Sequence, residues 1–370
     1  MKNKILSVLF ILYILVFAVG SVIAKDRVFS EMENRNLTQF PKVTAKSVLD
    51  GSFTEQFEEY MSDQMIGKDF LVRLKVTENR ALNQSYINGV YFGADDMLIQ
   101  DYKNPYNQLS KNIGYINAFV EAHPEYTYTW LLAPNACYIY EDKLPPFAAC
   151  YDQGEVMAYI TGSAAEQMQI ADCTQALMQE RDSYIYYRTD HHWTMHGAYI
   201  GYTLLCDALG QKATPEEDYD IQVGSDAFLG TLYSNAPSFS QKADEILLYR
   251  NPKGSYQVEY MDDDVTADSL YNTDNLLVKD KYTTYLDGNH AYIRITSNAE
   301  NKEKILVIKD SYAHSLLPLL ADNYSEIHVV DLRYYHQSVS ELAQKEGITQ
   351  IVFINNLEFL STDDNFLWLQ

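Results

Sequence analysis

Residues 304–332 read KILVIKDSYAHSLLPLLADNYSEIHVVDL, and their order decides the fold class. Ile305 to Ile308 is an unbroken apolar run rich in β-branched residues, the pattern of a strand buried on both faces. Ser311 to Asp322 is apolar and long enough for a helix, and EIHVVDL (326–332) is a second buried strand. SVSELAQKEG (338–347) and QIVFINN (350–356) add a further helix and strand. Strand, helix, strand, helix, strand implies a parallel sheet with helices on both faces, whose ligands bind at the carboxyl ends of the strands.

The same rhythm runs upstream. SKNIGYINAFVEAH (110–123) predicts a helix, YTYTWLLAP (126–134) a buried strand, the Ala-, Gln- and Met-rich stretch at about 163–181 a helix, and SYIYYRTD (183–190) another strand. Thr194 is a suitable N-cap for MHGAYIGYTLLCDAL (195–209), which Gly210 ends. Residues 211–290 are polar and turn-rich, and read as an inserted β-rich segment. Nearer the N-terminus, Phe53, Phe57 and Tyr60 recur at helical spacing, and NGVYFGADDMLI (88–99) has the punctuation of a hairpin. The expected organisation is an export segment (1–25), then a linker, helix and hairpin packing on the core (26–109), then the α/β domain (110–370).

Lys2 and Lys4 precede an uncharged apolar run from Ile5 to Ala24, long enough to cross a bilayer. Val22 and Ala24 are placed as a signal peptidase requires, so a cleaved signal peptide and an uncleaved anchor both stay open. Either way the positive-inside bias leaves residues from about 26 onward outside the cytoplasm, where ATP and nicotinamide cofactors are not supplied. The net charge of −23 argues against nucleic acid as a partner. Thirty-one tyrosines suit either sugar-stacking grooves or a Tyr-rich sheet surface. Among the four cysteines, Cys137 and Cys150 bracket a loop and are the pair most suited to a bridge. Cys173 and Cys206 fall in helical patterns, and four unpaired thiols are the alternative.

Three strand ends carry the chemistry. One offers Asp310 and Ser311, one offers Asp190 and His192, and one offers Asn355 and Asn356. A serine hydroxyl at a strand-to-helix turn needs a base, an imidazole needs a carboxylate to fix its tautomer, and a developing oxyanion needs amide donors. Ser311, His192 and Asp190 are therefore candidates for an acyl-transfer triad, with Asn355 or Asn356 and the Ser311 N–H as oxyanion donors. Taken singly, each has a bland reading as an N-cap or a turn, and only their convergence is informative. A metal site from Asp190, His191, His192 and His196 is the weaker chemical alternative, since no HExxH motif or cysteine ligand set supports it. No metal and no cofactor is expected.

The stretch YYRTDHHWTMHGAY (186–199) resembles the signature of the DHHW protein family. KDKYTTYLDGNHAYIRITSNAENKEKILVIKDSYAHSLLPLLADNYSEIHVVDLRYY (279–335) is similar to that family's second half, and SEMENRNL with LDGSFTEQFEEYMSDQMIGKDF to its first. The family in turn resembles the SGNH-hydrolase-like enzymes of alginate O-acetylation. The resemblance implies a flavodoxin-like, SGNH-like α/β fold, with the D-x-H pair Asp190 and His192 and the nucleophile Ser311 in circularly permuted order. It also implies O-acetyl transfer or esterase action on an exopolysaccharide of the bacterial cell envelope, with a membrane-bound acyl-transport partner. Two departures stand out: Lys309 replaces the usual glycine before Asp-Ser, and Arg333 stands where a second glycine belongs. Tyr138, Tyr233 and Arg333 are weaker candidates for substrate contact, and Arg333 reads better as a structural partner of Asp331. The rival to catalysis is a non-catalytic, carbohydrate-binding or envelope-binding module on the same fold.

Overall fold

The computed structural model describes residues 2–369. Met1, Gln370 and the side chains of Asn3 and of Lys2, part of the positive flank noted above, lie outside the described residues. The described chain divides into two compact units, 1–88 with 233–241, and 89–232 with 242–370.

The first unit begins with the helix Lys2–Ile23, of which Lys4–Ile23 is long and apolar enough to cross a membrane. Three more helices follow before residue 88, the short Ala45–Leu49 and the longer Ser52–Asp63 and Lys68–Ala81. A buried carboxylate organises the longer two: Asp63 accepts from Arg35 at 2.6 and 2.9 Å, from Lys68 at 2.9 Å and from the Thr38 N–H at 2.8 Å. The Arg35 guanidinium is the main reason that the Asp63 pKa lies well below the usual carboxylate range.

The second unit is built on one eight-stranded sheet. Its strands in chain order are β1 (Thr127–Ala133), β2 (Met168–Asp172), β3 (Tyr256–Tyr260), β4 (Val265–Ala267), β5 (Tyr292–Ser297), β6 (Lys304–Lys309), β7 (Glu326–Val330) and β8 (Gln350–Asn356). Across the sheet they run β4-β3-β5-β7-β6-β8-β1-β2. The five from β7 to β2 are parallel, and β5, β3 and β4 complete one edge by antiparallel pairing. The sheet is thus mostly parallel. β6 and β8 are interior strands of the parallel part and carry Ile305, Leu306, Val307, Ile351, Val352 and Phe353 with no exposed surface, which is why these strands read as continuous apolar runs.

The helices Tyr106–Ala122, Met195–Ala208, Ala313–Leu320 and Val339–Glu346 match the sequence reading to within a few residues. Two expectations fail. The stretch 163–181 is not one helix but the end of the helix Gln153–Ser163, then strand β2, then the short helix Thr174–Gln179. Ala, Gln and Met favour a helix, but pairing with β1 from Tyr128↔Met168 to Leu132↔Asp172 overrides that preference. Residues 183–190 form no strand of the sheet either. Their apolar residues Ile185, Tyr186 and Tyr187 are fully buried, yet the backbone makes only an isolated bridge, Tyr186↔Trp193. Within 211–290, Asp220–Phe228 and Asp244–Arg250 form a separate two-stranded hairpin, while β3 and β4 join the central sheet.

Candidate active site

β6 ends at Lys309, and the chain turns through Asp310, Ser311 and Tyr312 into the helix Ala313–Leu320. Asp310 latches this turn: Oδ1 accepts from the Tyr312 N–H at 2.8 Å and Oδ2 from the Asn356 N–H at 2.6 Å. Its carboxyl is buried and is pushed up to about 6 by that burial. Ser311 is left half-buried, and among the described residues its N–H donates to no acceptor.

Opposite Ser311 stands the tight loop 190–193. The Thr194 N–H donates to Ile185 O at 2.9 Å and the Tyr187 N–H to His192 O at 3.2 Å, which folds the loop back on the preceding segment. Gly197, on the first turn of the following helix, has to be glycine, because a Cβ there would lie 2.3 Å from Ile185 O. The loop's four residues are tied down separately. Trp193 Nε1 donates to Tyr312 O and to Ser315 Oγ, both at 3.0 Å, and so joins the loop to the serine helix. The Tyr312 hydroxyl donates to His191 O.

His192 Nδ1 lies 2.6 Å from Asp190 Oδ1, and Nε2 lies 2.8 Å from Ser311 Oγ. A carboxylate can only accept, so the proton sits on Nδ1 and Nε2 is left to accept from the Ser311 hydroxyl. Asp190 Oδ1 also accepts the His192 N–H at 3.0 Å, and Oδ2 accepts the Thr231 N–H at 2.7 Å. Burial alone raises the Asp190 pKa, but the adjacent His191 and His192 rings and these donors hold it well below the carboxylate range. Gly230 makes room for it, since a Cβ there would meet Asp190 Oδ2 at 2.3 Å. The structure thus brings Asp190, His192 and Ser311 into one hydrogen-bonded line. Asp190 does not sit at a sheet-strand end, as its sequence context suggested, but in this loop.

The remaining expected residues are placed as follows. His191 packs against the His192 ring at 4.0 Å between centroids, and burial pushes its pKa down to about 4, so it is neutral at pH 7. His196 turns away and pairs with Glu216 at 2.9 Å. Ligand atoms of Asp190, His191 and His192 come within 4.8 Å of one another, but both His192 nitrogens are already engaged by Asp190 and Ser311. Asn356 caps the helix Leu357–Thr362 through Glu358 N–H, donates to Ala133 O at 3.0 Å and accepts from Asn135 at 3.0 Å. Asn355 Oδ1 accepts from Trp130 Nε1 at 3.0 Å, and its Nδ2 is buried with no partner. No hydrogen bond joins either side chain to Ser311 among the described residues.

Arg333 grips Asp331 through Nε at 2.9 Å and Nη2 at 2.6 Å. Tyr138 lines a cavity of about 390 Å³ with Cys137, Cys150 and Tyr151, and Ser311 is not among its lining residues. Tyr233 belongs to the other compact unit.

The two departures at glycine positions form one buried network. Lys309 Nζ, with no exposed surface, donates to Asp331 Oδ2 at 2.7 Å and to His314 Nε2 at 2.6 Å. Burial lowers the Lys309 pKa, and burial and then Lys309 push that of His314 far down, so His314 is the neutral acceptor.

Sequence reasoning missed three supports. Asp244 is fully buried and accepts from the Arg188 N–H at 3.1 Å and from the Thr189 N–H and hydroxyl at 2.8 and 2.6 Å, which pins the approach to the loop. Gly230 is the second and Tyr282, which stacks on His192, the third. All three lie in the turn-rich segment 211–290, where no periodicity marks a position.

Residues 147–330 match the family model described as DHHW protein. Among solved structures, a DHHW family protein from Eubacterium siraeum is similar with a TM-score of 0.66 and 21% identity, over 77% of this chain and 95% of that one. Bacillus cereus PatB1 with a sulfonyl adduct is similar with a TM-score of 0.64 and 22% identity, over 75% and 97%. The O-acetyltransferase domain of Pseudomonas putida AlgJ is more distant, with a TM-score of 0.47 and 14% identity over 75% and 93%. The first two likenesses establish the fold. No curated protein matches the chain.

Proposed function

We propose that the chain, whose residues 147–330 match the DHHW protein family model, is a serine acyltransferase or esterase. Its substrate is an acyl group, acetyl in the first instance, carried by or delivered to a cell-surface polysaccharide. The observation that carries the reading is the line from Asp190 through His192 to Ser311, with links of 2.6 and 2.8 Å. The sulfonyl adduct of PatB1 is consistent with it, because sulfonyl groups are captured by activated nucleophiles.

In the first half-reaction the Ser311 O–H proton passes to His192 Nε2 as Oγ bonds to the acyl carbon, and the carbonyl π pair moves onto oxygen. The unpartnered Ser311 N–H, at the start of a helix, is the donor assigned to that oxyanion, worth about 3 kcal/mol in comparable sites. Collapse breaks the bond to the leaving alcohol or thiol, which takes the proton from His192. In the second half a sugar hydroxyl or water gives its proton to His192 and its oxygen to the acyl carbon, and Ser311 Oγ leaves with the proton returned. Asp190 fixes the tautomer and faces the positive ring in both halves.

The D-x-H pair precedes the serine, and we read this order as a circular permutation of the SGNH arrangement. The N-terminal helix supports a location outside the cytoplasm, as signal or anchor, and a transferase there needs a membrane-bound partner to bring the acyl group across. A binding-only role has nothing specific in its favour, and the hydrogen-bonded Ser311–His192 pair weighs against it. The test is turnover of p-nitrophenyl acetate with and without an oligosaccharide acceptor. Release of nitrophenol and acetylation of the acceptor should both depend on Ser311, and turnover that survives in Ser311→Ala would overturn the assignment.

A further inference from the structure

The segment 211–290 supplies one side chain that touches both the base and the nucleophile's backbone. Tyr282 lies in the short turn Lys281–Thr284 and is 4% exposed. Its ring lies flat on the His192 imidazole, with centroids 3.9 Å apart and planes inclined by 10°. Its hydroxyl donates to Ser311 O at 3.1 Å and lies 3.1 Å from Ser315 Oγ, the same hydroxyl that receives Trp193 Nε1. Tyr285 and Tyr187 meet the ring edge-on at 5.2 and 6.3 Å, so it is braced from the sides.

We propose that Tyr282 is the positioning residue of the acyl-transfer site: its face holds the His192 ring in line between Asp190 and Ser311 and stabilises the imidazolium formed there. The inference rests on the triad reading above. When the Ser311 proton reaches Nε2, the ring becomes a cation 3.9 Å from the negative face of an aromatic ring in a desolvated site. The interaction is stronger in the charged state than in the ground state, so it lowers the barrier to acylation rather than tightening substrate binding. The hydroxyl sets the height of the stack above Ser311 and moves no proton.

The test separates the ring's shape from its charge distribution in the full-length chain. Wild type, Tyr282→Phe and a variant carrying pentafluorophenylalanine at 282, which keeps the ring but inverts its quadrupole, are compared. Two readouts are taken: kcat and KM for p-nitrophenyl acetate, and the rate at which phenylmethylsulfonyl fluoride adds to Ser311, followed by intact mass. In that addition the Oγ–S bond forms, S–F breaks and fluoride leaves while His192 holds the proton. Relative to Tyr282→Phe, which removes only the hydroxyl, the fluorinated ring should slow both rates about tenfold or more with KM unchanged. Equal rates for the two rings, or a loss confined to KM, would overturn the positioning role while leaving the triad intact. A wild-type protein whose Ser311 is not labelled by the reagent would sink the triad and this role with it.

Discussion

Asp190→Asn tests the geometry most sharply, because the carboxylate has three donors to satisfy and the amide has one acceptor oxygen. Asp190 receives His192 Nδ1–H and His192 N–H on one oxygen and Thr231 N–H on the other. If the asparagine NH2 faces His192, Nδ1 must accept, the ring proton moves to Nε2, and the 2.8 Å link to Ser311 loses its acceptor. If the NH2 faces Thr231 instead, two donors meet in a fully buried position and one stays unsatisfied, at a cost of about 1–3 kcal/mol. The first arrangement still sets the NH2 against the His192 N–H, so a mixture of lost activity and lost stability is expected. The rate should fall about 10³- to 10⁴-fold, equivalent to roughly 4–5.5 kcal/mol of transition-state stabilisation. Stopped-flow acylation by p-nitrophenyl acetate reads the first effect and thermal unfolding the second. A variant that keeps a tenth or more of the wild-type acylation rate would show that Asp190 is not orienting the base.

Further outcomes follow from the same contacts. His192→Ala should lower kcat about 10⁴-fold and His191→Ala less than about tenfold, since His191 offers a packed neutral ring and no link to Ser311; a reversed ranking in steady-state assays would refute the D-x-H spacing. Burial pushes the Asp310 carboxyl up to about 6 from the ordinary aspartate value of about 3.9, so the folded state binds the extra proton between those values. Stability from this group is therefore present below about pH 4 and is lost as pH rises through 6, by about 3 kcal/mol. The difference in urea-unfolding free energy between wild type and Asp310→Asn should show that slope across pH 4–7. Asn356→Ala should cost about 2 kcal/mol of stability through its lost cap and buried bonds, with kcat/KM within about threefold. A large kinetic loss at unchanged melting temperature would instead restore Asn356 as an oxyanion donor.

Much of the fold was legible because buried parallel strands advertise themselves. β6, β7 and β8 are apolar runs separated by helices of ordinary length, and their pairing follows from the connection rules. β2 was not legible, because Met168–Asp172 has no β-branched run and becomes a strand only through its partner β1. The stretch 183–190 failed in the opposite sense: its Tyr and Ile residues have strand character, but they spend it on the core beneath the 190–193 loop rather than on a sheet. Ser311, His192 and Asp190 could be named from the sequence because polar residues directly after apolar runs, and the resemblance of DHH to a D-x-H pair, single them out. The inference that placed Asp190 at a strand end reached a residue that the structure brings to His192 by a different route. Tyr282, Gly230 and Asp244 could not be named, since each acts through a contact 40 or more residues away in the chain. The replacement of the expected glycine by Lys309 became intelligible only when Asp331 and His314 were seen to close around it.

The most direct measurement is peptide mapping by mass spectrometry after a brief, acid-quenched reaction with p-nitrophenyl acetate. One acetyl group on the peptide containing Ser311, absent in Ser311→Ala and greatly reduced in His192→Ala, is the expected result. An acetyl group found elsewhere, or equal labelling of Ser311 when His192 is removed, would contradict the triad.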